Sequence, residues 1–365
     1  MSENSTSLHY LTYLKLDKIL NSQELLSKKN GEEAHEEMLF IIIHQTYELW
    51  FKQIIHEFES VKPLFEKNKI NEEKIGMVVN RMDRVIEILK VLVQQVNILE
   101  TMTSLDFLDF RDYLSPASGF QSFQFRKMEV LLGLKIDQRH SFGSCPYHNQ
   151  FQKNEKTQIL ELEENKSFFD LIIDWLERIP FLKFEDFDFI EHYEKAVNCM
   201  TEKEVNLVEE STILSKEEKD IRKKMIIDNR KYFEQVLDET KHEEAFKNGE
   251  TKLSYKATMS ALLINLYRDE PMLHMPYRLL RSLLEIDHLI STWRFRHAQM
   301  VQKMLGNKIG TGGSSGKSYL EKTVEKNKIF SDISNISTIM ISRSYLPELP
   351  KKIKQKLGYN FSQNN

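Results

Sequence analysis

Residues 78–99, VVNRMDRVIEILKVLVQQVNIL, decide the fold class. Val78, Met82, Val85, Leu89, Leu92, Val96 and Leu99 follow alternating steps of four and three, and Ile86 and Val93 widen the same stripe. That spacing is one face of a helix turning every 3.6 residues, so the segment predicts a helix of about 30 Å with its apolar side in a bundle. Residues 39–51, LFIIIHQTYELWF, repeat the pattern. Leu39, Ile43, Trp50 and Ile54 form one stripe there, and Phe40, His44, Tyr47, Phe51 and Ile55 the adjoining one. A third long helix is predicted over 277–305. Between these runs the connections are sparse. Twelve glycines and eight prolines in 365 residues are less than half the ordinary share of about 12%. A chain so poor in turn residues does not build a many-stranded sandwich or barrel, and the expected fold is all-α, a helical bundle. The length allows one large domain or two smaller ones.

Charge and cysteine usage narrow the function. Fifty-one basic against 55 acidic residues leave a net charge of −4, which argues against a general nucleic-acid binder. Cys145 and Cys199 are too few and too far apart for a disulfide framework or a zinc ribbon, and they suit a reducing compartment. The start, MSENSTSLHYLTYL, lacks the basic and apolar regions of a signal peptide, and no apolar run approaches the ~18 residues that span a bilayer. The expectation is a cytoplasmic protein without a membrane partner. Residues 200–250 are charge-rich with sparse apolar spacing, which predicts a solvated helical hairpin protruding from the body in preference to a subunit contact, within a peripheral charged helical subdomain over about 155–255. Residues 137–156 read as a loop, and the basic tail after Pro350 as peripheral.

Four features could carry chemistry. His44 sits in the most apolar run of the chain. A histidine there is ordinarily a hydrogen-bonded core residue. It is not part of a chelating set, because His35, His44 and His56 point in different directions on one helix and the His44–Glu48 pair has no second carboxylate. His297 shares a helical face with Trp293, Met300, Val301 and Met304, which fits either a core histidine or an axial haem ligand under an apolar wall. In SLDFLDFRDYLSPASGFQSFQFR (104–126), Phe107, Arg111 and Leu114 fall on one face. Ser115 and Pro116 are placed to end that helix and cap the next. Arg111 could pair with Asp106 or Asp109, or grip a substrate carboxylate with its guanidinium fork. GTGGSSG (310–316) holds four glycines in seven residues without the strand-and-helix setting of a phosphate loop, and reads as a lid or a plain linker.

Together these stretches resemble the tryptophan 2,3-dioxygenase family. The resemblance runs through YLTYLKLDKIL, HEEMLFIIIHQTYELWFKQI, RMDRVIEILKVLVQQVNILETMTSLDFLDFRDYLSPASGFQSFQFR, LSYKATMSALLINLYRDEPM and STWRFRHAQMVQKMLGNKIGTGGSSGKSYL. It is loose only over 200–250 and the tail. It implies one all-α haem dioxygenase domain over 1–365. That domain would cleave the indole C2–C3 bond of L-tryptophan with O2 to give N-formyl-L-kynurenine, the first step of tryptophan catabolism. The implied cofactor is haem b, iron protoporphyrin IX, ferrous when active, with His297 as the metal ligand and Trp293, Arg126 and Tyr319 beside it. His44 falls on the catalytic distal histidine that accepts the indole N–H, and Phe40 on an aromatic of the pocket. Arg111 matches the group binding the substrate carboxylate, Thr311 the contact to the amino-acid head group, and Phe107, Leu114 and Ser118 further pocket positions. Tyr10 and Tyr13 match residues contributed by a neighbouring subunit, which implies a homotetramer with exchanged N-termini over 1–30. The sibling indoleamine dioxygenases carry serine at the position of His44. A haem-binding sensor or transport module of the same fold, or a dioxygenase for another indole, is the competing reading.

Overall fold

The structure is a computed structural model, and it describes residues 8–67, 72–136, 147–306, 308, 323–324 and 326–358. Three long helices form its axis: α4 (Glu36–Phe65), α5 (Ile75–Leu99) and α14 (Pro271–Leu305). Ahead of them lie the short α1 (Tyr10–Leu14), α2 (Leu16–Leu20) and α3 (Leu26–Lys29). Between α5 and α14 run α6 (Ser104–Arg111), α7 (Phe123–Leu132), α8 (Lys153–Glu164), α9 (Phe168–Leu176), α10 (Phe189–Glu210), α11 (Lys216–Leu237), α12 (Glu239–Lys247) and α13 (Tyr255–Leu266). After α14 come α15 (Ser331–Asn335) and α16 (Lys351–Leu357). Among the described residues the extended structure is one two-stranded antiparallel ribbon, in which Lys183 pairs with Asp188 and Phe184 with Phe187. The all-α expectation holds.

Every residue of the α5 stripe from Val78 to Leu99 at the four-and-three spacing is buried, because α14 packs along it on one side and α4 on the other. Arg278 reaches from α14 to Asp83 at 2.7 Å, and Arg296 to Glu100 at 3.2 Å, so ion pairs near both ends fix the register of the two helices. On α4, Ile43, Tyr47, Phe51, Ile54 and Ile55 are buried, but Trp50 on the same stripe stays 37% exposed. An indole is large enough to project past the edge of the helix it packs beside.

Four expectations need correction. α14 starts at Pro271 rather than 277. Glu270 is extended, and Pro271 occupies the first helical position, where its missing N–H is not needed. Ser115 and Pro116 do not cap the next helix. Ser118 caps a single 3-10 turn at Gly119–Gln121, and Ser122 caps α7 by accepting the Phe125 N–H at 3.2 Å. Helix α8 begins at Lys153, inside the stretch read as a loop, where the Glu155 carboxylate accepts the Gln152 N–H at 3.1 Å. The tail is not peripheral, since Ile353 and Leu357 of α16 are fully buried in the core that includes α14. Within 155–255 the chain divides. Phe168, Ile172, Trp175 and Leu176 of α9 lie in the core, whereas α10 and α11 form an antiparallel hairpin whose Leu207, Ile221 and Met225 face outward.

Candidate active-site pocket

A cavity opens between α4 and α14, closed on its sides by α6 and α7. Helix α4 turns Phe40, His44, Tyr47, Glu48 and Phe51 toward it, at the spacing of one helical face. Helix α14 supplies Trp293, His297, Met300 and Met304 from the opposite side. Aromatic rings make most of the wall. Phe40 lies 4.1 Å from the His44 ring and 5.8 Å from Phe107. Trp293 meets Tyr47 and Phe51 edge-on at 5.7 and 5.9 Å, and Phe125 at 5.1 Å.

The two histidines differ in their bonding. His44 Nδ1 stands 2.7 Å from the Phe40 carbonyl, one turn back on its own helix. A carbonyl only accepts, so Nδ1 carries the proton and the neutral ring leaves Nε2 as an acceptor. Burial holds the His44 pKa below its ordinary value, against the opposing effect of that hydrogen bond. His297 makes no hydrogen bond to a described residue, and its ring stacks on Trp293 at 5.4 Å and 8°. Burial, and secondarily the charge of His44, depresses its pKa to about 4. Both imidazoles are therefore neutral at pH 7, with a lone pair free for a ligand.

One end of the cavity is polar. The fully buried Glu129 of α7 pairs with Arg126 at 2.8 Å and with Arg294 of α14, whose other guanidinium nitrogen donates to the Asn327 carbonyl at 3.0 Å. Glu48, one turn after His44, accepts the Ser122 hydroxyl at 2.5 Å, and burial raises its carboxyl above the ordinary range.

The donor set is selective about what could bind. Among the described residues no three His, Cys, Asp or Glu groups converge as a site for a bare metal ion. A single neutral imidazole in an apolar wall suits a metal that brings its own planar ligands, as haem iron does. The Trp293 indole N–H is buried in the same wall, in reach of the Tyr47 hydroxyl.

Of the residues expected from sequence, Phe40, His44, Phe107, Ser118, Arg126, Trp293 and His297 line this one cavity. Arg111 and Leu114 are partly buried at and just beyond the end of α6, next to that lining but not part of it. Tyr10 and Tyr13 are 68% and 67% exposed on α1 and line no part of it. Thr311, Tyr319 and the GTGGSSG stretch lie outside the described residues. Glu48, Phe125, Glu129 and Arg294 join the site without having been marked for it. In the sequence Glu48 pairs with His44 only as a metal site, set aside for want of a second carboxylate, and helical spacing from Arg126 could have found Glu129; Arg294 and Phe125 depend on helices meeting in space.

Comparison with known proteins finds related chains. A family model described as tryptophan 2,3-dioxygenase matches residues 1–340. The tryptophan 2,3-dioxygenase of Dictyostelium discoideum is 47% identical over 97% of this chain and 89% of its own. That of Alteromonas mediterranea is 44% identical over 98% and 99%, and that of Xenopus laevis 44% over 96% and 86%.

Proposed function

The chain belongs to the tryptophan 2,3-dioxygenase family, and we propose that the cavity between α4 and α14 is where it holds haem b and oxidises L-tryptophan to N-formyl-L-kynurenine. The observation that carries this reading is the pair of neutral histidines facing one aromatic cavity from opposite helices. His297, with no hydrogen bond to a described residue, would hold the iron. Trp293 would pack beside the haem, and Arg126 would supply a cation for a carboxylate that it carries. When bound, haem supplies the dioxygen chemistry that no side chain in the pocket can perform.

The chain's own residues supply orientation. His44 Nε2 accepts the indole N–H, because Nδ1 is committed to the Phe40 carbonyl. Phe40 and Phe107 pack the flat ring and exclude water. Arg111 takes the substrate carboxylate as a bidentate partner, and Thr311 the amino-acid head group. Ser118 lines the pocket, Leu114 supports it from just beyond α6, and Tyr319 would serve the cofactor. Tyr10 and Tyr13, exposed on a short helix clear of the body's core, fit a site completed by a neighbouring subunit, and the assembly is a homotetramer with exchanged N-termini. No helix among the described residues is long and apolar enough to cross a membrane, which accords with a cytoplasmic enzyme.

The test is an absorption spectrum of the purified chain with and without L-tryptophan, followed by product analysis of the ferrous protein under O2. A haem band that shifts with L-tryptophan, and formation of N-formylkynurenine, support the proposal. Protein that stays colourless after haem supply would overturn it. Haem binding without turnover would leave the sensor reading in its place.

A further inference from the structure

Glu48 is an anomaly in the cavity. It sits one turn past His44 among aromatic rings, has no cationic partner among the described residues, and receives a single hydrogen bond. Glu48 is half-buried, and a single hydroxyl offsets only part of the cost of withdrawing its carboxyl from water. Burial raises its pKa accordingly. A group held at such a cost in a pocket marks a functional position more often than a structural one.

Its partner explains what it does. The Ser122 hydroxyl donates to Glu48 Oε1 at 2.5 Å, while its oxygen accepts the Phe125 N–H at 3.2 Å as the cap of α7. The hydroxyl therefore bridges α4 to the first turn of α7. The Phe125 ring, fixed by that turn, stands 5.3 Å from Phe51 and 5.1 Å from Trp293. We propose that Glu48 is a positioning residue. By orienting the Ser122 hydroxyl it fixes α7 against α4, and so sets the wall of Phe51, Phe125 and Trp293 in the cavity that would hold haem. The inference rests on the cavity being the haem pocket.

The full-length chain is compared with E48A, E48Q, S122A and E48A/S122A by haem titration and by steady-state kinetics at saturating haem. One hydrogen bond of this kind corresponds to about a tenfold change in affinity. E48A should raise the haem dissociation constant roughly tenfold, S122A at least as much because it also removes the α7 cap, and the double variant no further than S122A, since the Glu48 bond is lost in both. E48Q should recover most of the affinity, because its amide oxygen accepts the same hydroxyl. Activity per bound haem should change by less than about threefold, with KM for L-tryptophan rising more than kcat falls. Additive losses in the double variant, an E48Q as weak as E48A, or an unchanged E48A would each overturn the positioning role. If E48A does not fold, the E48Q and S122A comparison decides alone. A wild-type chain that takes up no haem would instead remove the reading beneath it.

Discussion

Glu129 is the polar residue on which the pocket's stability turns. Its side chain is 1% exposed and joins Arg126, at 12%, to Arg294, at 4%. Glu129→Ala would remove the carboxylate that the Arg126 and Arg294 guanidinium groups share in the interior. Each lost charge-assisted hydrogen bond is worth about 1.5–3 kcal/mol, and removing one partner of a buried ion pair costs about 3–5 kcal/mol. A loss of about 4 kcal/mol is expected, a large share of the ~5–15 kcal/mol that holds a domain together. Arg294→Met should cost about 2 kcal/mol, because it removes one charge and leaves Glu129 paired with Arg126. The double variant should fall short of the sum by about 2 kcal/mol, since the orphaned charge on α14 is gone. Urea unfolding followed by circular dichroism reads these values, with the slope m unchanged between variants. A Glu129→Ala loss below about 1 kcal/mol, or strict additivity, would refute the reasoning.

Three further outcomes follow from the same structure. His44→Ala should keep the haem band while lowering kcat/KM for L-tryptophan about tenfold or more, the value of one hydrogen bond to the indole; loss of the band would contradict its place on the substrate side. Arg111→Ala should raise KM about 10- to 100-fold by removing a bidentate carboxylate partner, and an unchanged KM would remove Arg111 from the substrate site. Because burial depresses the folded pKa of His44, the stability of its neutral form is fully present above the ordinary histidine value, about 6.5, and is lost as pH falls through the folded one. Haem-free protein should therefore lose less stability between pH 7 and pH 5 when His44 is replaced by Leu, and an equal loss in both proteins would show that His44 does not contribute.

Periodicity carried the helices because an apolar stripe has one physical use, burial against another helix. The residues from Val78 to Leu99 could be read that way with no knowledge of their neighbours, and all seven positions of the stripe are buried. Features that depend on the far side of a contact were harder to read. Nothing in KKIKQKL announces that Ile353 and Leu357 dock in the core, because two apolar residues in a basic segment are too few to make a pattern. Pro271 reads as a breaker until its position at the helix start is seen.

The site divides along the same line. By themselves the residues left His44 and His297 as histidines on apolar faces and Arg111 as an arginine with several possible partners; long blocks of resemblance in the right order turned them into an expected constellation. Tertiary structure decided which of them meet. It brought His44 and His297 to one cavity, fixed the His44 tautomer through the Phe40 carbonyl, and tied Arg126 to Arg294 through a glutamate between them. A sequence determines which face of a helix must be buried, because that depends only on the order of its own side chains. What covers that face, and which polar groups are stranded or satisfied there, depends on how separate helices cross, and only the folded chain specifies that.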